Sequence, residues 1–183
     1  MERSLSFKRL AAQDYFGPLV ALIVIVAIVA FTTPAFLELQ NFRNLALQIS
    51  ILSIVAIGST IVIITGGIDL SPGSMIAFLT MCLAVFIKNQ SMDLTLAIVL
   101  TILIGCAMGL LNGVLVAYLR IPAFIVTLAG LSGFKGLALT LNGGTPAFSL
   151  SEGLGQVFYG TFLGLPLPFY YVVGCYALFT IIM

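Results

Sequence analysis

Ten residues, Thr65-Gly66-Gly67-Ile68-Asp69-Leu70-Ser71-Pro72-Gly73-Ser74, gather a carboxylate, three hydroxyls and two adjacent glycines between long apolar runs. Their types suit hydrogen bonding and backbone bending, not bond making. The chain has no His for acid–base work. No glycine-rich loop ends in Gly-Lys-Ser/Thr, and no two carboxylates are close enough in sequence pattern to share a proton, so the Gly66-Gly67 pair is not a phosphate cradle. Backbone that leaves the helix near lipid exposes N–H and C=O groups, which is tolerable only against protein or a watery cavity. The stretch is therefore a candidate transport pathway or moving joint.

Asp69 either caps the following helix and holds the joint, or faces water at the interface; the structural-mechanical role is favoured over substrate binding. Asn112 is an amide within an apolar run, satisfied by an interhelical hydrogen bond or by a solute. Gln48, Ser50, Ser53, Ser59 and Thr60 form an uncharged polar stripe that suits a hydroxyl-rich neutral solute and helix–helix bonds equally. Gly105, Gly109 and Gly113 recur every fourth residue and leave one helix face bare for close packing. Ala129-Gly133 and Ser132-Gly136 repeat that theme. Cys82, Cys106 and Cys175 lie far apart without ligand spacing and read as small buried hydrophobes, so neither a metal nor a cofactor is expected.

The elements that position these residues follow from composition. Hydrophobic residues make up 61% of the chain and charged residues 7%, and the mean hydropathy is +1.25. Soluble domains carry roughly a quarter charged residues, so the chain belongs in a bilayer. A net charge of +1 without a basic stripe argues against nucleic acid. The expected fold class is all-α, a polytopic transmembrane bundle within a single membrane domain over 1–183. A span needs about 20 mostly apolar residues. Six are expected: Gly17–Thr33, Leu45–Thr65, Pro72–Ile87, Leu94–Leu119, Pro122–Leu141 and Phe169–Met183. The last is truncated, as in the front part of a longer protein.

Arg3, Lys8 and Arg9 before the first apolar run place the N-terminus in the cytoplasm. The Gly66 break then lies inside or part-way in, Arg120 inside, and Lys88–Asp93 and Asn142–Pro168 outside. The run from Phe16 is too long for a secretory signal and lacks a cleavage site. Ser71 is expected to accept hydrogen bonds from the first free N–H groups of the third span, with Pro72 at a position whose donor has no partner. Pro122 is expected to play the part of Pro72 for the fifth span, and Pro34 ends the first. Asn142–Pro168, rich in Gly and Pro but carrying Phe148, Phe158, Tyr159 and Phe162, reads as an ordered extracytoplasmic cap.

Thr65–Ser74, Asn112-Gly113 with Val116-Ala117-Tyr118, the run Arg120–Leu128, and Asn142-Gly143-Gly144-Thr145-Pro146 together resemble the permease subunits of bacterial monosaccharide ABC importers of the ribose, xylose and galactose type. The order and spacing agree across essentially the whole chain. The resemblance implies an inner-membrane protein that pairs with a second permease copy. It also implies a periplasmic sugar-binding protein that delivers cargo and a cytoplasmic ATP-binding subunit that drives transport. The family features carried over are Asn41 and Gln48, then Gly66, Gly67, Asp69, Leu70, Ser71 and Gly73, then Pro122, Phe124 and Thr127. Lys135 stands where an arginine is more usual, and the segment that meets the ATPase would lie beyond Met183.

On this resemblance, Gln48, Asn112, Phe124 and Thr127 line or flank a sugar pathway. Gly66, Gly67, Asp69, Ser71 and Gly73 form the hinge that lets the second and third helices shift during alternating access. The chain itself would not be an enzyme. An ion-coupled carrier is the alternative, although such carriers place several ionisable groups within their spans. A non-transporting fragment is the other alternative.

Overall fold

A computed structural model describes residues 15–145 and 152–182. Arg3, Lys8, Arg9, Pro146, Phe148 and Met183 lie outside the described residues. Among the described residues seven α-helices run in the order α1 (Phe16–Thr32), α2 (Leu39–Ile64), α3 (Pro72–Lys88), α4 (Leu94–Ala117), α5 (Ala123–Leu141), α6 (Glu152–Tyr159) and α7 (Leu167–Ile182). Three of them, α2, α4 and α5, are long and apolar enough to cross a membrane, and α1, α3 and α7 are shorter apolar helices. The chain is a polytopic helical membrane bundle.

It divides into two compact units, residues 1–46 and 47–183. In the first, Pro34 opens a 3-10 turn over Pro34–Leu37 after α1 ends. Asn41 Nδ2 donates to Phe36 O at 2.7 Å and ties that turn to the start of α2. The second helix begins six residues before the expected span. Gln40, Asn41, Arg43 and Asn44 are helical here, with Gln40 Nε2 donating to Asn44 Oδ1 at 3.3 Å. Polar residues at i and i+4 support a helix outside lipid, whereas a hydropathy span marks only the part that lipid can hold.

In the second unit, α3 packs most extensively on α5 and less on α4. The core follows that pairing: Cys82 and Ala84 of α3 and Val126, Phe134 and Ala138 of α5 are buried, with Ala97 and Met108 from α4. Most other large apolar side chains are exposed or half-buried, as lipid-facing helices require. α3 and α5 run parallel, since Ser71 lies beside Gly130 at one end while Lys88, Asn89 and Asn142 line one small cavity at the other. α4 runs antiparallel to α3, pairing Gly105 with Leu79 and Asn112 with Ser71.

Asn142–Pro168, expected as a loop, carries secondary structure of its own among the described residues. After α6 the strands β1 (Thr161–Phe162) and β2 (Leu165–Pro166) pair antiparallel, and α7 starts at Leu167, so Pro168 lies within its first turn. Tyr170 and Tyr171 hydroxyls donate to Phe162 O at 2.8 Å and Val157 O at 3.3 Å.

Candidate functional site

The break begins with a helix end that its sequence dictates. Gly66 has φ +78°, a left-handed conformation that Gly adopts without a Cβ penalty. Gly66 N–H bonds to Ile63 O at 2.9 Å and Gly67 N–H to Val62 O at 3.0 Å. That pair of bonds is a Schellman motif, which satisfies carbonyls the helix would leave open. Gly67 is needed for space: a Cβ there would sit 3.0 Å from Val62 Cγ1 and 3.4 Å from Ala123 Cβ.

Asp69 and Ser71 then set the start of α3, and here the expected cap is corrected. Ser71 makes no side-chain cap bond. The carboxylate of Asp69 is the acceptor instead, taking Ser71 N–H at 2.8 Å and the Ser71 hydroxyl at 2.7 Å on Oδ1. An Asx turn from two residues upstream satisfies the donor and consumes the serine's own proton. Ser71 is fully buried and lies between Asp69 and a third partner, because Asn112 Nδ2 donates to Ser71 Oγ at 3.2 Å. Gly73 is exposed on α3 with open space around it.

Two residues of α5 hold the same loop from the other side. Thr127 is buried, and its hydroxyl is shared between Ala123 O at 2.9 Å and Ile68 O at 3.1 Å. Ser74 is also buried and shares its hydroxyl between Ser71 O at 2.8 Å and Gly130 O at 3.4 Å. Gly130 permits this approach: a Cβ there would lie 3.4 Å from Ser71 Cβ and 3.1 Å from Phe134 Cε2. Ser74 and Gly130 were missed in the sequence. Gly130 lies four residues before Phe134 but belongs to neither small-residue pair on its helix.

Asn112 and Thr127, expected along a pathway, are thus brought together with Asp69 and Ser71 around the break. Gln48 and Phe124 are not: both are exposed on their own helices. Two hydroxyls of the polar stripe on α2 bond within their own helix. Ser53 and Thr60 each donate to the carbonyl four residues earlier, Ile49 O and Ala56 O, at 2.7 Å. Their donors are spent within the helix.

The three spaced glycines of α4 separate likewise. A Cβ at Gly105 would meet Leu79 Cδ1 at 3.1 Å, whereas Gly109 and Gly113 face open space within this chain. Of the cysteines, only Cys82 is buried; Cys106 is exposed and Cys175 half-buried, so two of the three are not core hydrophobes within this chain. Pro122 stands just before α5, not in its first turn, and its carbonyl accepts from Ile125 N at 2.9 Å and Val126 N at 3.3 Å. Among the described residues no group of three or more Cys, Asp or Glu could hold a metal.

A polar, unwound break held between the helices of an apolar bundle marks a polytopic helical membrane protein. More particularly, residues 41–183 match the family described as the permease component of branched-chain amino acid transport systems, and the chain belongs to that family. It is similar to the ribose import permease protein RbsC of Bacillus subtilis, 38% identical over 154 residues, which cover 83% of this chain and 48% of that protein. The Escherichia coli K12 ribose import permease protein is 37% identical over 82% of this chain and 48% of its own length. The xylose transport system permease protein XylH of the same strain is 37% identical over 78% of this chain and 36% of its own. The chain therefore spans about half the length, or less, of these relatives. No solved structure matches it.

Proposed function

We propose that the chain is the N-terminal part of the permease subunit of an ATP-driven importer that moves a monosaccharide across the bacterial inner membrane by alternating access. The observation that carries this is the 37–38% identity to ribose and xylose permeases over about four fifths of the chain. Its partners would be a second permease copy, a cytoplasmic ATP-binding subunit and a periplasmic sugar-binding protein. ATP hydrolysis belongs to the separate subunit, so the permease is not an enzyme and needs no cofactor of its own.

The uncharged polar groups around the break support a neutral cargo. Among the described residues, Asp69 is the one carboxylate in this cluster, which is few ionisable groups for an ion-coupled carrier. In the proposal, Gly66, Gly67, Asp69, Ser71 and Gly73 shape the hinge, Gln48 and Phe124 present side chains toward the pathway, and Asn112 and Thr127 hold the hinge beside it.

The test is uptake of labelled ribose and xylose by cells lacking their own ribose and xylose permeases and expressing the full-length protein with its ATPase and binding protein. Uptake that requires both partners and survives collapse of the ion gradient is expected. Uptake that persists without the ATPase, or that stops when the gradient alone is removed, would overturn the proposal in favour of a secondary carrier. Competition by leucine would move the cargo to the class named in the family's description.

A further inference from the structure

We infer that the bundle slips along one plane: α3, α5 and the break move as one body, α4 moves against it, and the hydrogen bond from Asn112 to Ser71 is the clasp between them. The two sides of α3 are unequal. Toward α5 the break is held at several points, by the shared hydroxyls of Thr127 and Ser74 and by the bare backbone of Gly130 against Ser71. Most of the buried side chains of the second unit also lie on these two helices. Dense packing of this kind resists continuous deformation.

Toward α4 the surface is smoother. Leu79 lies over the bare Gly105, and two turns along α4 a single amide reaches Ser71 at 3.2 Å. Asn112 is only half-buried. Gly109 and Gly113 face open space on the same helix, and Met108 is the one side chain of α4 buried at this level. A neutral amide–hydroxyl bond is exchangeable, because water or a polyol hydroxyl can replace either partner at little net cost. Releasing it leaves Ser71 still bonded to Asp69, so the buried hydroxyl is not orphaned when the clasp opens. On the other side the buried Thr127 hydroxyl ties Ile68 O to α5 at 3.1 Å.

This inference deepens the transport proposal but is tested without cargo. Spin labels at Ile76 and Leu110 would report the α3–α4 distance, and labels at Ile76 and Leu128 the α3–α5 distance, in the full chain in lipid nanodiscs with the native cysteines replaced. Asn112→Ala should raise the population of a second, displaced α3–α4 distance about fivefold, as expected for loss of one neutral hydrogen bond. The α3–α5 distance should stay single and unchanged. Asn112→Leu, which keeps the branched shape and suits lipid, should behave the same way and separates clasp loss from misfolding. A displaced α3–α5 population as large as the α3–α4 one, or no displacement in either variant, would overturn the inference. Failure of sugar uptake with the displacement present would count against the cargo alone.

Discussion

Two returns between long helices end at a proline, the one before Pro72 and the one before α5 at Pro122, and they are built differently. The second is short and made of backbone alone. Leu119 N–H bonds to Val114 O at 3.3 Å and Ile121 N–H to Leu115 O at 3.2 Å, with Arg120 at φ +55°. Tyr118 is 82% exposed and Leu119 63%. The first return is longer, glycine-led, and ends on a serine that is fully buried. Side chains from α4 and α5 converge on it. A proline and a left-handed residue suffice to restart a helix, as the Arg120 turn demonstrates. The extra residues of the first return serve to bring polar backbone and a carboxylate within the bundle, which a simple turn does not need.

Removing that carboxylate should give the largest effect. Asp69→Ala strips the acceptor from two Ser71 donors inside the bundle, a cost of ~1–3 kcal/mol for an unsatisfied buried group. Thermal unfolding in detergent should fall accordingly and uptake should drop by an order of magnitude or more, while Arg120→Ala changes the melting temperature little. Asp69→Asn keeps an acceptor and should impair uptake with membrane insertion intact; wild-type uptake in that variant would remove Asp69 from the mechanism.

The left-handed positions should respond with opposite signs. Gly66→Val forces a branched side chain to φ +78° and should destabilise by about 1–2 kcal/mol. Arg120→Gly relieves the same strain and should stabilise by up to ~1 kcal/mol, offset in part by chain entropy. If both lower the melting temperature, the Arg120 turn is held by more than its backbone.

Thr127→Val is isosteric and deletes the shared bond to Ile68, so a loss of about 1 kcal/mol is expected. Hydrogen exchange at the amides around the break would register it, and unchanged protection there would show that α5 does not hold the loop. The smallest contrast lies on α4. Gly105→Ala must shift Leu79 and should cost a few tenths of a kcal/mol net of the helix-propensity gain, whereas Gly109→Ala meets open space and should gain ~1 kcal/mol or less from propensity. A Gly109→Ala variant that loses uptake while gaining stability would point to a partner on that bare face.

Much of this was legible in the residues. Proline and glycine placed most helix ends within two residues, and the Gly66-Gly67 pair marked the break because few other residues can adopt its conformation there. The start of α2 was missed by six residues because a hydropathy span stops where polarity begins, while a helix need not. The roles of Asn112 and Thr127 were harder to read. Each carries a polar group that needs a partner, but whether that partner is a solute or Ser71 and Ile68 depends on which helices meet and at what height. Gly130 shows the same limit: its small size matters only because α3 lies against it. The stripe on α2 is ambiguous for a local reason, since Ser53 and Thr60 satisfy their donors on the preceding turn.

One consequence of the short α3 concerns the lipid. Its 17 residues span ~26 Å at the usual rise, less than the ~30 Å of a typical hydrocarbon core. A crossing by α3 would therefore be finished by the unwound residues before it, and such an arm can lengthen or shorten where a continuous helix can only tilt. Bilayer thickness would then act on the segment that Asp69 and Asn112 hold, and lipids of different chain length should set how tightly it is drawn.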